Sequence, residues 1–217
     1  MEFLDINNVL FSIANRPVSL VEFLSVIFGL TTVFLAGRGN KNNYWFGYIY
    51  TILLFILFMQ NSLYSNMLLQ PISFGIAIYG HYQWTHPRKG NENKKNELKI
   101  SILNNHKRIL SVVLIMLFSV IWGTFMLWAS GLWPDLFSPA KLPFLDAAVV
   151  GCIFTAQYLS AKKYIDCWGA WLLVNITNII LYISAGLIFM PLVSAAYLIL
   201  AFFGFALWKN QMKEQTL

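Results

Sequence analysis

The chain has 217 residues, of which 58% are hydrophobic and only 11% are charged, against roughly 25% charged in an average soluble domain. Together with a mean hydropathy of +0.62, this excludes an ordinary soluble domain and identifies an integral membrane protein. The net charge of +6 calls for no nucleic-acid partner, because the basic residues fall between apolar runs, where membrane orientation accounts for them.

In chain order, residues 8–14, "NVLFSIA", are too short to cross a bilayer and read as an interfacial turn within an N-terminal segment, 1–18. No Lys or Arg precedes them, which argues against a cleaved secretory signal. Seven apolar runs follow, at about 19–36, 44–60, 62–86, 108–130, 143–161, 167–186 and 190–209, each near the ~20 residues that cross the hydrocarbon core. The expected fold is therefore all-α and integral to the membrane, with seven transmembrane helices. Between the third and fourth spans, "HPRKGNENKKNELK" reads as a solvated cytoplasmic loop over 87–107, and 210–217 reads as a cytoplasmic tail. Cys152 and Cys167 lie in or beside apolar runs without metal spacing, so neither a disulfide nor a metal site is expected.

Seven spans put thirteen of the fifteen Lys and Arg residues on one side and two, Arg16 and Lys141, on the other. The positive-inside rule then places the N-terminus outside and the C-terminus in the cytoplasm.

The chain also matches itself. At a shift of 124 residues Gly80 meets Gly204, Trp84 meets Trp208, Glu22 meets Asp146 and Arg38 meets Lys162. The repeat unit is three spans, 19–86 and 143–209, and the single span 108–130 between the copies makes them parallel. Three-plus-one-plus-three is the plan of the SWEET carriers, and parallel repeats of this kind place a substrate near the bilayer midplane.

Within the sixth span, "CWGAWLLVNITN" sets Trp168, Trp171, Asn175 and Asn178 at about 0°, 300°, 340° and 280° on a helical wheel, with Tyr182 at about 320°. That face is too polar for lipid. Its counterpart on the second span carries Tyr44, Tyr48 and Thr51, and Gln70 lies within the third. Amides this deep either bond neighbouring helices or line a cavity. Trp168, near the helix start, also suits an interfacial belt, an account that weakens for Trp171 one turn deeper. Taken together, the aromatic faces suit a flat, cationic heteroaromatic ring, and the amides suit an amide or sugar hydroxyls. We take Trp168, Trp171, Asn175, Asn178, Gln70, Tyr48, Tyr44 and Thr51 as candidate substrate-binding residues.

At these positions the sequence resembles the PnuC family of vitamin B3 transporters. The resemblance covers essentially the whole chain and rests on "NYWFG" (43–47), "LLQ" (68–70), "YGHYQW" (79–84) and "KKY" followed by Trp168-x-x-Trp171-x-x-x-Asn175. It implies a SWEET-like fold in the bacterial inner membrane and nicotinamide riboside uptake by facilitated diffusion, with cytoplasmic phosphorylation trapping the substrate. Relatives within the family are associated with thiamine, riboflavin or deoxynucleosides. The partners implied are such a vitamin and the lipid bilayer, with self-association left open.

Several chemistries lack their residues. No Gly-x-x-x-x-Gly-Lys-Ser/Thr stretch is present to hold ATP, and "GRGN" (37–40) reads as a polar turn. His81, His86 and His106 have no metal-ligand partner at useful spacing. Membrane-embedded enzymes need clustered Asp, Glu or His; here Glu22 and Asp146 are the acids within the spans, both near outer ends, where a helix dipole favours them. Neither a cofactor nor catalysis is expected. The remaining competitor is a receptor or channel, separable from a carrier by binding without transport.

The topology is directly testable. With cysteines at Lys94 and Ser138, an impermeant thiol reagent on intact cells should label position 138 and spare position 94; the reverse pattern would invert the orientation.

Overall fold

The computed structural model describes residues 4–5, 8–13, 16–61, 64–93, 96–134, 137, 142–184 and 189–216; the two labelling positions, 94 and 138, and the side chain of Tyr182 lie outside this set. A short antiparallel hairpin, β1 (Val9–Ile13) and β2 (Arg16–Ser19), precedes seven helices: α1 (Leu20–Gly37), α2 (Asn43–Gln60), α3 (Tyr64–Thr85), α4 (Asn105–Leu132), α5 (Pro143–Ala161), α6 (Cys167–Ser184) and α7 (Phe189–Thr216). The segment read as an interfacial turn is thus a paired hairpin, with Phe11 edge-on to Phe23 of α1. Ser19 ends β2 and caps α1, its Oγ accepting from the Glu22 N–H at 3.2 Å.

The helices coincide with the seven expected spans. Five of them, α1, α2, α4, α5 and α7, are long and apolar enough to cross a membrane, and α6 is apolar over Cys167–Ile180. The 22 residues of α3 reach about 33 Å, but Asn66, Gln70, Ser73 and His81 dilute its apolar character. Those first three residues, like others described below, face an internal space rather than lipid.

Six helices form a closed ring. Each packs on the next in the order α1, α2, α3, α5, α6, α7, and α7 returns to α1. The fourth helix stands outside and packs on α5, presenting Ile109, Val113, Leu117 and Ile121 outward, as a lipid-facing surface requires. A shift of 124 residues carries α2 onto α6 end to end, and α1 and α3 onto α5 and α7 to within a residue at their starts.

The same shift relates individual contacts. Trp84 Nε1 donates to the Ser160 carbonyl at 3.1 Å, and Trp208 Nε1 donates to the Ala36 carbonyl at 3.0 Å. Phe34 stacks on Phe203 as Tyr158 stacks on Tyr79. A side chain on Gly204 would meet the Trp168 ring, and one on Gly80 would meet Tyr44 and Ala161. Even the turns agree: Gly39 and Lys163, 124 residues apart, both have left-handed backbones, with φ of 73° and 58°. A lysine tolerates what suits glycine because its side chain is held, with Nζ 4.7 Å from the centre of the Trp84 ring. Burial pushes its ammonium below the usual lysine range, and Glu97 partly offsets this.

The loop before α4 departs from its solvated reading. Leu98, Ile100 and Leu103 are buried. Ser101 donates its N–H to the Lys163 carbonyl and accepts from the Ile165 N–H, at 3.1 and 2.9 Å. Asp166 accepts from the Leu103 N–H and from Arg108 Nε, both at 2.7 Å. Three apolar side chains placed among polar residues give the loop something to bury, and it docks on the turn between α5 and α6. At the other end of the chain, the stretch expected as a tail continues α7 to Thr216. Gln211 donates to the Arg38 carbonyl and Gln215 accepts from the Ile100 N–H, which draws these polar turns onto the body.

The glycine contact yields a paired prediction. Gly204→Ala should lower stability by about 1–3 kcal/mol, since the overlapped Trp168 ring is buried and cannot swing away. Gly75→Ala meets nothing within 4 Å and should be neutral or stabilising by up to about 1 kcal/mol. Thermal unfolding in detergent checks both; equal midpoints would refute the packing account.

Candidate functional site

The ring of helices, joined by Trp122 and Met126 of α4, lines a cavity of about 840 Å³, within the range of small-molecule sites. It runs beside α1 from Glu22 to Ala36, about 21 Å along the helix axis. One end is marked by Glu22 and Asp146. The other ends on a buried aromatic cluster of Tyr44, Trp84, Trp168 and Trp208.

The lining follows the shift of 124 residues. Trp168, Trp171, Val174, Asn175 and Asn178 of α6 correspond to Tyr44, Gly47, Tyr50, Thr51 and Leu54 of α2, and all ten line the cavity. The five lining residues of α7 likewise match lining residues of α3. The frame is thus doubled while its chemistry is not: tryptophan stands opposite glycine, and asparagine opposite leucine.

Seven of the eight candidate residues are brought together here: Trp168, Trp171, Asn175, Asn178, Gln70, Tyr44 and Thr51. Tyr48 is placed elsewhere. The lining residues of α2 span about 220° to 360° on the wheel that sets Tyr44 at 0°, and Tyr48 at about 40° lies past that arc. Its hydroxyl pairs with His81 Nδ1 at 2.9 Å, and its ring packs on Phe74 and Trp45.

Trp168 and Trp171 differ in what they offer. The Trp168 ring is 2% exposed, edge-on to Trp208 with its far edge against the Gly204 backbone. Trp171 is half-buried beside the cavity, so it is the more accessible of the two indoles. Asn175 Nδ2 donates to the Trp171 carbonyl at 2.8 Å, and Thr51 Oγ1 donates to the Gly47 carbonyl at 2.8 Å, which are equivalent bonds 124 residues apart. Gln70 Nε2 is taken by the Asn66 carbonyl at 3.1 Å. For Asn175 and Gln70 the amide nitrogen is used locally, and the carbonyl oxygen is the atom able to accept from a ligand.

Sequence reasoning passed over other lining residues. Tyr50 and Tyr197 share a hydroxyl hydrogen bond at the cavity wall, in the space that Gly29 leaves open. Gln157 lines the cavity from α5; an amide inside an apolar span is the signal that singled out Gln70, and it applies equally here. Among the lining residues are Glu22 and Asp146 but no Lys or Arg. Among the described residues no group of three or more His, Cys, Asp and Glu could hold a metal.

Residues 19–210 match the family model described as nicotinamide mononucleotide transporter. The nicotinamide riboside transporter PnuC of Escherichia coli (strain K12) is 30% identical over 99% of this chain and 97% of its own length. The nicotinamide riboside transporter PnuC of Neisseria mucosa is 27% identical over 99% of this chain and 80% of its own. Among solved structures, the crystal structure of the vitamin B3 transporter PnuC superposes with a TM-score of 0.69 at 22% identity, covering 90% of this chain and 83% of that one. The helical architecture, the match across nearly all the spans and the likeness along the full chain establish that this protein belongs to the nicotinamide mononucleotide transporter family, the family of the PnuC transporters.

Proposed function

We propose that the chain carries nicotinamide riboside across the bacterial inner membrane by facilitated diffusion, with cytoplasmic phosphorylation trapping what enters. The observation that carries this reading is the cavity: an aromatic and amide wall on α6, facing a matching frame on α2, in a space without Lys or Arg. The closed ring and the doubled hydrogen bonds of Trp84 and Trp208 support a SWEET-like arrangement of parallel repeats, α1–α3 and α5–α7, with α4 as the linker. In the orientation given by the basic residues, the Glu22–Asp146 end faces outside and the tryptophan end faces the cytoplasm.

The family description names a mononucleotide and the curated relatives name a riboside, and charge favours the riboside. A phosphate dianion needs Arg, Lys or several N–H donors. The lining gives it no cation and two carboxylates, whereas the pyridinium of nicotinamide riboside is a cation, attracted by both acids and by an indole face. Thiamine, also cationic, is the second reading that the acids favour; riboflavin and deoxynucleosides gain nothing from them.

Coupling follows from the same residues. A cation entering a cell that is negative inside gains ~2.3 kcal/mol per 100 mV, and an intracellular kinase that removes free substrate sustains the inward flow. We therefore expect liposomes held at zero potential to equilibrate nicotinamide riboside and stop, with or without a pH gradient. Accumulation above the external level driven by protons or sodium would overturn uniport.

Site variants test the wall. Trp171→Ala should weaken riboside binding by about 0.5–1.5 kcal/mol beyond the lost contact area, and Asn175→Leu by about 1–3 kcal/mol through an unpaired ligand group. Neither should change the elution volume of the purified protein. Titration with nicotinamide riboside, its mononucleotide, thiamine and riboflavin checks both the wall and the ligand; tight mononucleotide binding would refute the charge argument.

A further inference from the structure

The repeat makes the two seams of the ring comparable position by position. One seam joins α1 to α7, and the other joins α5 to α3. At the tryptophan end they match, in the indole bonds of Trp208 and Trp84 and in the stacked pairs Phe34–Phe203 and Tyr158–Tyr79. About two turns further in, they differ. On the α1–α7 seam, the Tyr197 hydroxyl of α7 sits in the space left by Gly29 of α1 and shares a hydrogen bond with Tyr50 of α2. All three residues line the cavity, so this clasp links α7 to α2 across the inner face of α1. A shift of 124 residues replaces Tyr197 by Ser73, Tyr50 by Val174 and Gly29 by Ile153. Serine is too short to cross, valine has no hydroxyl to share, and isoleucine fills the space that glycine leaves. The α3–α5 seam therefore has no such clasp.

The helices on the two seams also differ in stiffness. Pro71 lies inside α3, and it offers no N–H to the Met67 carbonyl one turn back, which interrupts the run of helical bonds. Four residues on stands Gly75, where a side chain would meet nothing within 4 Å, so the helix has room to bend there. The matching residues of α7 are Ala195 and Ile199, which leave its bonding intact. Beyond Gly75, residues 76–85 carry Trp84 to the Ser160 carbonyl of α5. That half is held further by Lys163, 4.7 Å from the centre of the Trp84 ring, and by Lys162, 5.0 Å from that of Tyr79. These are polar contacts at helix ends, and water can replace them as the helices part.

We propose that the tryptophan end of the cavity opens along the α3–α5 seam alone, residues 76–85 swinging out about Pro71 and Gly75 while the tyrosine clasp keeps α1 and α7 together. This rests on the carrier reading above and names the helix that moves.

The test locks each seam in turn in the full chain. Phe34→Cys with Phe203→Cys serves one seam, and Tyr79→Cys with Tyr158→Cys the other. The ring centroids of these pairs are 6.0 and 6.1 Å apart, and none of the four residues lines the cavity. Both variants carry Cys152→Ala, and Cys167 is buried away from reagent. A bifunctional methanethiosulfonate joins each pair, and uptake of labelled nicotinamide riboside into proteoliposomes is measured before linking, after linking and after reduction. The 79–158 link should stop uptake, with recovery on reduction. The 34–203 link should leave uptake within about twofold of the unlinked protein. Pro71→Ala combined with Gly75→Ala, which stiffens α3, should slow uptake about tenfold with riboside binding within about twofold of the parent's. If the 34–203 link stops uptake, the 79–158 link spares it, or the stiffened α3 works at the parent's rate, opening along one seam is refuted while the carrier reading stands. A parent that neither binds nor takes up the riboside overturns that reading instead.

Discussion

Carbonyls at the ends of membrane helices lack an intrahelical donor, and in a poorly hydrated setting each unmet one is costly. The carbonyls of Ala36 and Ser160, near the ends of α1 and α5, accept the turn N–H of Gly39 and Lys163 at 2.9 Å and, in addition, an indole N–H from Trp208 and Trp84. Each bond joins a helix of one half of the ring to a helix of the other, α7 to α1 and α3 to α5. Small residues let these helices approach: Gly37 and Gly204 on one side, Gly80 and Ala161 on the other. The aromatic cluster that closes the cavity, and therefore the cavity itself, depends on these two joints.

On that doubled frame the chemistry is one-sided. The wall of α6 offers indole and amides where α2 offers glycine, threonine and leucine at the same depths. A substrate with a ring, a sugar and an amide has no twofold symmetry, and a symmetric lining would pair one end well and the other badly. Departures from the repeat are thus the informative positions: Trp171 against Gly47, Asn178 against Leu54, and Gln157 against Val33.

Much of this was legible in the sequence because lipid imposes a length and a polarity on each span. The helix starts were displaced where a cap or tertiary contact decided them: α4 begins at Asn105, not 108, because the Asn104 side chain accepts from the His106 N–H. Tyr50 lines the cavity and the expected Tyr48 does not, since a wheel shows which residues share a face but not which face the neighbouring helices turn inward. Gln157 obeys the same rule as Gln70, an amide inside an apolar span, and is equally legible by it. The docking of Leu98, Ile100 and Leu103 was not legible, because three apolar residues in a charged loop show no period and their partner segment lies more than sixty residues away.

The two tryptophan joints are alike in geometry and unlike in chain distance. Trp84 reaches a carbonyl 76 residues along, while Trp208 reaches one 172 residues back. The loop-closure entropy of the longer joint exceeds that of the shorter by about 0.7 kcal/mol, a small difference at equilibrium. During synthesis the inequality is larger in kind, because domains and their elements emerge from the N-terminus onward. The α3–α5 joint can form once α5 is present, whereas the flank of α1 around Ala36 and Gly37 waits, uncovered, for the last helix to arrive. The order of assembly is therefore written into a structure whose finished halves look interchangeable.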